Sequence, residues 1–250
     1  MVTSRIRKQS RAIEGMAQAI RQTWRSGSGD RVVVVSSGPM TNLALFFSAY
    51  PDLLDGVEEI CFMGGGVGQG NRGSVAGMDI RLVNTRFLTR TQEFNILCDP
   101  EAAQIVLNVP VKKTMIPINV THKAIVNEFI QARLLDSSAD HQTGSLPRAT
   151  SNVRHTLWTI INFFAASYKS TFGFNDGPPL HDALTIAYIS NPALFKTTRY
   201  RVDVELSGVH SAGETVVDVW NYSNSSLLTW GPSGKNCLVA ESVDVSLLSF

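Results

Sequence analysis

The segment GPPLHDALTIAYISNPALF, residues 177 to 195, sets a histidine and an aspartate side by side at the front of an apolar run. Both groups are costly to desolvate, so their place where a buried helix should begin needs a reason. Asp182 could cap the helix that starts after Pro179, with His181 a satisfied boundary histidine. The chemical alternative is that Asp182 offers a hard anionic oxygen to a metal while His181, which titrates near neutrality, protonates a leaving group. Position in the chain does not decide between them.

Other segments carry polar groups of use to a ligand. In QEFNILCDPEAA, Glu93 and Asn95 lie two apart, so an extended segment projects both to one face and Phe94 to the other. A carboxylate beside an amide suits sugar hydroxyls; the plain alternative is a loop before a capped helix. MGGGVGQGNRG packs six glycines into eleven residues, which points to close backbone approach or positive φ. Gly68, Gly70 and Gly73 fall in the spacing GxGxxG after a strand, with Glu93 twenty residues on. As a dinucleotide fingerprint this is weak, because no clean helical period follows it. SSGPMTN reads equally as a tight turn and cap, and VTH, residues 120 to 122, closes a third apolar segment.

These groups need a frame. Ile13, Met16, Ala17, Ile20 and Trp24 give helical spacing over residues 8 to 25. Val32 to Val35 reads as an interior parallel strand, TNLALFFSAYP as a helix that Pro51 helps to end, and VEEICFMGGG as a strand. CDPEAAQIVLNV is a helix with Asp99 as N-cap and Pro100 at its first position, and KKTMIPINV a further strand. Alternating strands and helices predict an α/β fold with a mostly parallel sheet flanked by helices. In such sheets ligands bind beyond the carboxyl ends of the strands, where the three polar exits lie. Residues 124 to 170 read as mostly helical, broken by the surface loop or lid DSSADHQTGSLPRATS. YRVDVELSG, ETVVDVW and NCLVAESVDV then predict a short C-terminal β extension.

The totals narrow the partners. There are 22 basic and 21 acidic residues, a net charge of +1 without a basic stripe, so neither nucleic acid nor an anionic membrane is expected as partner. No apolar run of about 18 residues predicts a membrane span, and 17% charged with 44% hydrophobic residues suits one α/β domain over residues 1–250 that takes a small neutral ligand. Cys61, Cys98 and Cys237 are odd in number and far apart, which predicts buried thiols and a cytoplasmic, reducing location.

Together GPMTNLAL, MGGG followed by GN, EFNILCDPEAAQIV, VTH and PPLHDALTIAY, in this order, resemble the inosine-uridine preferring nucleoside hydrolase family. The resemblance covers nearly the whole chain and extends to VDVELSG and GETVVDV. It implies a Rossmann-like core and a calcium-dependent hydrolase that cleaves the N-glycosidic bond of purine or pyrimidine nucleosides to ribose and free base. Carried over by position, Asp182 resembles a calcium ligand through its carboxylate and Thr41 one through its backbone oxygen. His181 resembles the histidine that protonates the departing base; Asn71, Glu93 and Asn95 match residues that hold ribose hydroxyls, and Met63 lies where the family lines the sugar pocket. Tyr168 and Phe172 would face the base. Kinship alone raises a homo-oligomer as the assembly.

The chain departs from the family in two places. Members begin with a strand ending in an aspartate cluster, DxDxxxDD, whereas the first aspartate here is Asp30. This predicts an N-terminally truncated member with an incomplete calcium site and impaired activity, since ligand charge sets calcium affinity. Residues 77 to 92, GMDIRLVNTRFLTRTQ, separate GN from EFN, and their lack of pattern suits an untranslated stretch read in frame. The competing expectation is a non-catalytic nucleoside or ribose binder, or an inert fragment.

Overall fold

The computed structural model describes residues 11–67, 93–139 and 146–247. Asn71, the GxGxxG glycines and segment 77–92 lie outside the described residues. In chain order the elements are α1 (Ala12–Trp24), β1 (Val32–Ser36), α2 (Thr41–Ala49), β2 (Val57–Met63), α3 (Phe94–Leu97), α4 (Pro100–Asn108), β3 (Lys112–Ile116) and α5 (Ile118–Thr121). They continue with α6 (Glu128–Leu135), α7 (Asn152–Phe172), α8 (Ala183–Ser190), β4 (Phe195–Tyr200), β5 (Val202–Val204), β6 (Thr215–Val217) and β7 (Cys237–Val243).

The main sheet has the order β1-β2-β3-β7-β4; the first four strands run parallel and β4 is antiparallel to β7. The expected α/β fold with a mostly parallel sheet and a C-terminal β extension is therefore present, with one correction. Val32 to Val35, read as interior, forms an edge among the described residues, pairing with β2 and half-buried. An apolar run reports that both faces of a strand are covered, and it carries no information on how many neighbours pair with it. The C-terminal strands divide: β5 and β6 form a separate two-stranded sheet, while β7 enters the main sheet between β3 and β4. The FKTTRY strand, β4, was not expected; its polar, half-buried residues lack a strong alternating signal.

One face of the sheet is filled by α1, α2 and α4. Phe46, Phe62, Ile60, Val106 and Leu107 are almost fully buried there, each large side chain worth about 1.5–3 kcal/mol of transfer free energy. The other face receives α8, whose Leu184 and Tyr188 pack with Ile116, Val120 and Ala240. α4 starts where expected: Asp99 caps it by accepting from the Ala102 amide at 3.0 Å, and Pro100 takes the first position. Interior strand β3 opens on two lysines and tolerates them because each has local partners. Lys112 pairs with Glu59 at 2.7 Å, and the Lys113 ammonium donates to the main-chain oxygens of Val109, Val111 and Trp230.

Of the cysteines, Cys61 and Cys237 are buried, but Cys98 is exposed, which corrects the expectation of three buried thiols. It follows the short α3 helix, where the chain turns over the surface. No described helix is long and apolar enough to cross a membrane.

Candidate functional site

Beyond the carboxyl ends of β2 and β3 lies a cavity of about 640 Å³ whose walls include Met63, Glu93, Asn95, Tyr168, His181 and Asp182. The glycine turn that ends β2 follows Met63 of its wall. Gly65 adopts φ +70, and a Cβ there would stand 2.7 Å from Thr215 Cγ2, so glycine is required on both counts. Thr215, from β6, holds the turn by donating to the Gly66 oxygen at 2.7 Å and accepting from its amide at 2.9 Å.

That turn orients Glu93. The Glu93 side chain accepts from the amides of Asn95 (3.0 Å) at Oε1 and of Gly65 (3.0 Å) and Ile96 (3.2 Å) at Oε2. It thereby acts as N-cap of α3, so the reading of Glu93 and Asn95 as neighbours on an extended strand is corrected. Only Glu93 is extended, Asn95 is helical, and Phe94, placed on the opposite face, lines the same cavity. Burial raises the Glu93 carboxyl pKa while the three amides act the other way. Three of its roughly four acceptor positions are used, which leaves capacity for one hydroxyl. Asn95 Nδ2 donates to the Met63 oxygen at 3.1 Å, which fixes the amide orientation and leaves Oδ1 with no partner among the described residues.

His181 is held at both nitrogens: Nδ1 lies 2.8 Å from Thr121 Oγ1 and Nε2 lies 2.9 Å from the Tyr168 hydroxyl. Thr121 donates its own proton to the Ile118 oxygen, so Nδ1 must carry the hydrogen and Nε2 accepts from Tyr168. Burial and the neighbouring His122 hold the His181 pKa down to about 4, which favours this neutral tautomer. Tyr168 in turn stacks on Phe172 at 5.0 Å and meets Phe174 edge-on at 5.7 Å, giving the cavity an aromatic wall.

Asp182 occupies the N-cap position of α8 yet makes no side-chain cap bond. Its carboxylate has no hydrogen-bond partner among the described residues and lines the cavity, which tells against the capping role. Thr185 Oγ1 bonds the Asp182 main-chain oxygen instead, at 2.6 Å. Desolvation raises the Asp182 pKa.

Thr41 is not part of the cavity wall. Its hydroxyl donates to Asp99, the cap of α4, so any role toward a cation falls to its main chain. Calcium takes six to eight oxygens. Asp182 is a donor of the right kind, but among the described residues no group of three or more His, Cys, Asp or Glu side chains gathers to hold a metal. The described donor set therefore falls short of a calcium site in number. The wall also contains Ser37, Ile118, His122 and Phe174, which sequence reasoning did not assign. Two of them had a signal, Ser37 in the SSGPMTN exit and His122 at the end of the VTH exit.

Residues 3–249 match the sequence profile described as Inosine-uridine preferring nucleoside hydrolase. The chain belongs to this family. A Dictyostelium discoideum relative named "Probable ribonucleoside hydrolase" is 38% identical over 77% of this chain and 50% of its own length. The pyrimidine-specific ribonucleoside hydrolase RihA of Escherichia coli is 35% identical over 84% of this chain and 57% of its own. The chain thus spans about half the length of these curated relatives. Among solved structures, a purine-preferring ribonucleoside hydrolase from Gardnerella vaginalis superposes with TM-score 0.71 at 23% identity, covering 96% of this chain and 63% of that one. A plant nucleoside hydrolase gives 0.67 at 22%, covering 97% and 66%. Both likenesses concern the fold, and they agree with the parallel sheet found here.

Proposed function

We propose that the cavity binds a ribonucleoside and that its residues serve hydrolysis of the N-glycosidic bond to ribose and free base. The observation that carries this reading is the arrangement around His181: an imidazole bracketed by Thr121 and Tyr168, beside an uncapped Asp182 carboxylate. Glu93 and the free Oδ1 of Asn95 face the same cavity and take the sugar hydroxyls. Such a bond breaks through an oxocarbenium-like sugar, and the Glu93 carboxylate and Asn95 dipole oppose the positive charge that develops there. Tyr168 Oη and His181 Nε2 share one mobile proton next to the aromatic wall, where the departing base needs one.

In this family calcium, when bound, supplies a Lewis-acidic centre for substrate hydroxyls and water. Asp182 would be one of its ligands, with the Thr41 main-chain oxygen a second and other oxygens required from beyond the described residues. Asn71 is proposed as a further ribose contact on its position in the sequence alone.

The test is ribose release from inosine and from uridine by the purified 250-residue chain, with calcium and with a chelator, together with calorimetric nucleoside binding. Calcium-dependent ribose release supports the hydrolase. Nucleoside binding without release identifies a binder, and failure of both refutes the reading.

A further inference from the structure

We propose that His122 is the residue that hydrogen-bonds the nucleobase, which makes it a specificity-determining group of the site. The inference rests on the nucleoside reading above. The cavity contains two imidazoles, and His181 has both ring nitrogens committed, one to Thr121 and one to Tyr168. His122 lines the same cavity, and neither of its ring nitrogens has a hydrogen-bond partner among the described residues. Its place is defined: its amide donates to the Ile118 oxygen at 3.0 Å, and its ring lies edge-on to Phe174 at 5.2 Å and to His181 at 5.5 Å. A polar ring among aromatic neighbours with its hydrogen-bonding capacity unspent is suited to a planar heterocycle carrying carbonyl oxygens and ring nitrogens.

The chemistry agrees with the geometry. Desolvation by its neighbours lowers the His122 pKa, which favours the uncharged ring with one N–H donor and one acceptor. When the bond from the sugar to the base breaks, the electron pair passes to the base, and an N–H aimed at a base oxygen binds more strongly as that charge grows. Consecutive residues of one turn then divide the work: Thr121 sets the tautomer of His181, and His122 meets the base.

The experiment compares the full chain with His122→Phe, which keeps an aromatic ring without nitrogens, and His122→Gln, which restores a donor and an acceptor. Binding of uridine, inosine and methyl β-D-ribofuranoside, a sugar without a base, is measured by calorimetry in calcium-containing buffer. The expected result is that His122→Phe raises the nucleoside Kd about tenfold, the loss of one hydrogen bond, leaves the methyl riboside unchanged, and that His122→Gln recovers part of the loss. Unchanged nucleoside binding in His122→Phe, or equal weakening of the methyl riboside, overturns the assignment. If the unaltered chain binds the methyl riboside but no nucleoside, the base contact alone fails; if it binds neither, the ribonucleoside reading fails and the assignment with it.

Discussion

Replacing Glu93 tests whether the sugar side of the cavity is built as described. Its side chain caps three amides, those of Gly65, Asn95 and Ile96, and the residue is only 5% exposed. Glu93→Ala removes both acceptor oxygens and all three bonds, and with buried donors each costing about 1 kcal/mol or more when orphaned the loss is about 3 kcal/mol. For a domain of this size that lowers Tm by about 6–12 °C. Glu93→Gln has one carbonyl oxygen. Turned toward the Oε2 side it keeps Gly65 and Ile96 and loses Asn95, for about 1 kcal/mol and about 2–4 °C. The measurement belongs at pH 7.5. Burial raises the folded carboxyl pKa above its ordinary 4.5, so the fold favours the protonated form. The corresponding stability is fully present below the unfolded value and is lost as pH rises through the folded one. The gap between unaltered protein and Glu93→Gln therefore widens on acidification below that window. A Glu93→Ala melt within 1 °C of the unaltered protein would refute the three-amide cradle.

Asp182→Ala should abolish ribose release while changing stability by no more than about 0.5 kcal/mol, because the carboxylate caps nothing; a large drop in Tm would restore the capping role. Tyr168→Phe removes the donor to His181 Nε2, and kcat for uridine should fall about 100-fold or more with the fold intact by circular dichroism; an unchanged kcat would separate Tyr168 from the proton path. Gly65→Ala forces a side chain into the left-handed region, at about 1–2 kcal/mol before any clash, and drives its Cβ against Thr215 Cγ2 at 2.7 Å. Its denaturant midpoint should drop, and a second substitution Thr215→Ser, which deletes the clashing methyl, should recover part of that loss.

Much of the frame was legible because local rules and burial agreed. The spacing of Ile13, Met16, Ala17, Ile20 and Trp24 became α1 with Ala17 and Ile20 buried, and the pair Asp99–Pro100 began α4 as capping chemistry requires. The misreadings have equally local causes. Glu93 caps α3 although glutamate is not among the preferred N-cap residues, so nothing in EFN announced a helical turn and the two-residue spacing read as a strand. Thr41 and Asp99 bond across fifty-eight residues, a pairing no window of sequence contains.

The doublet His181–Asp182 shows what separates residue type from role. Sequence supplied two groups and two readings for each, and the choice turned on where hydrogen bonds go. The histidine is satisfied, as the ordinary reading required, but by a buried threonine from the β3 exit and by a tyrosine from α7 that lines the cavity. The aspartate holds the cap position without capping. Its carboxylate lines the cavity without a hydrogen-bond partner among the described residues, and partial desolvation raises its pKa. Under the nucleoside reading proposed above, a ligand would compensate that carboxylate, and the unspent nitrogens of His122 and the open Oδ1 of Asn95 would be its other contacts.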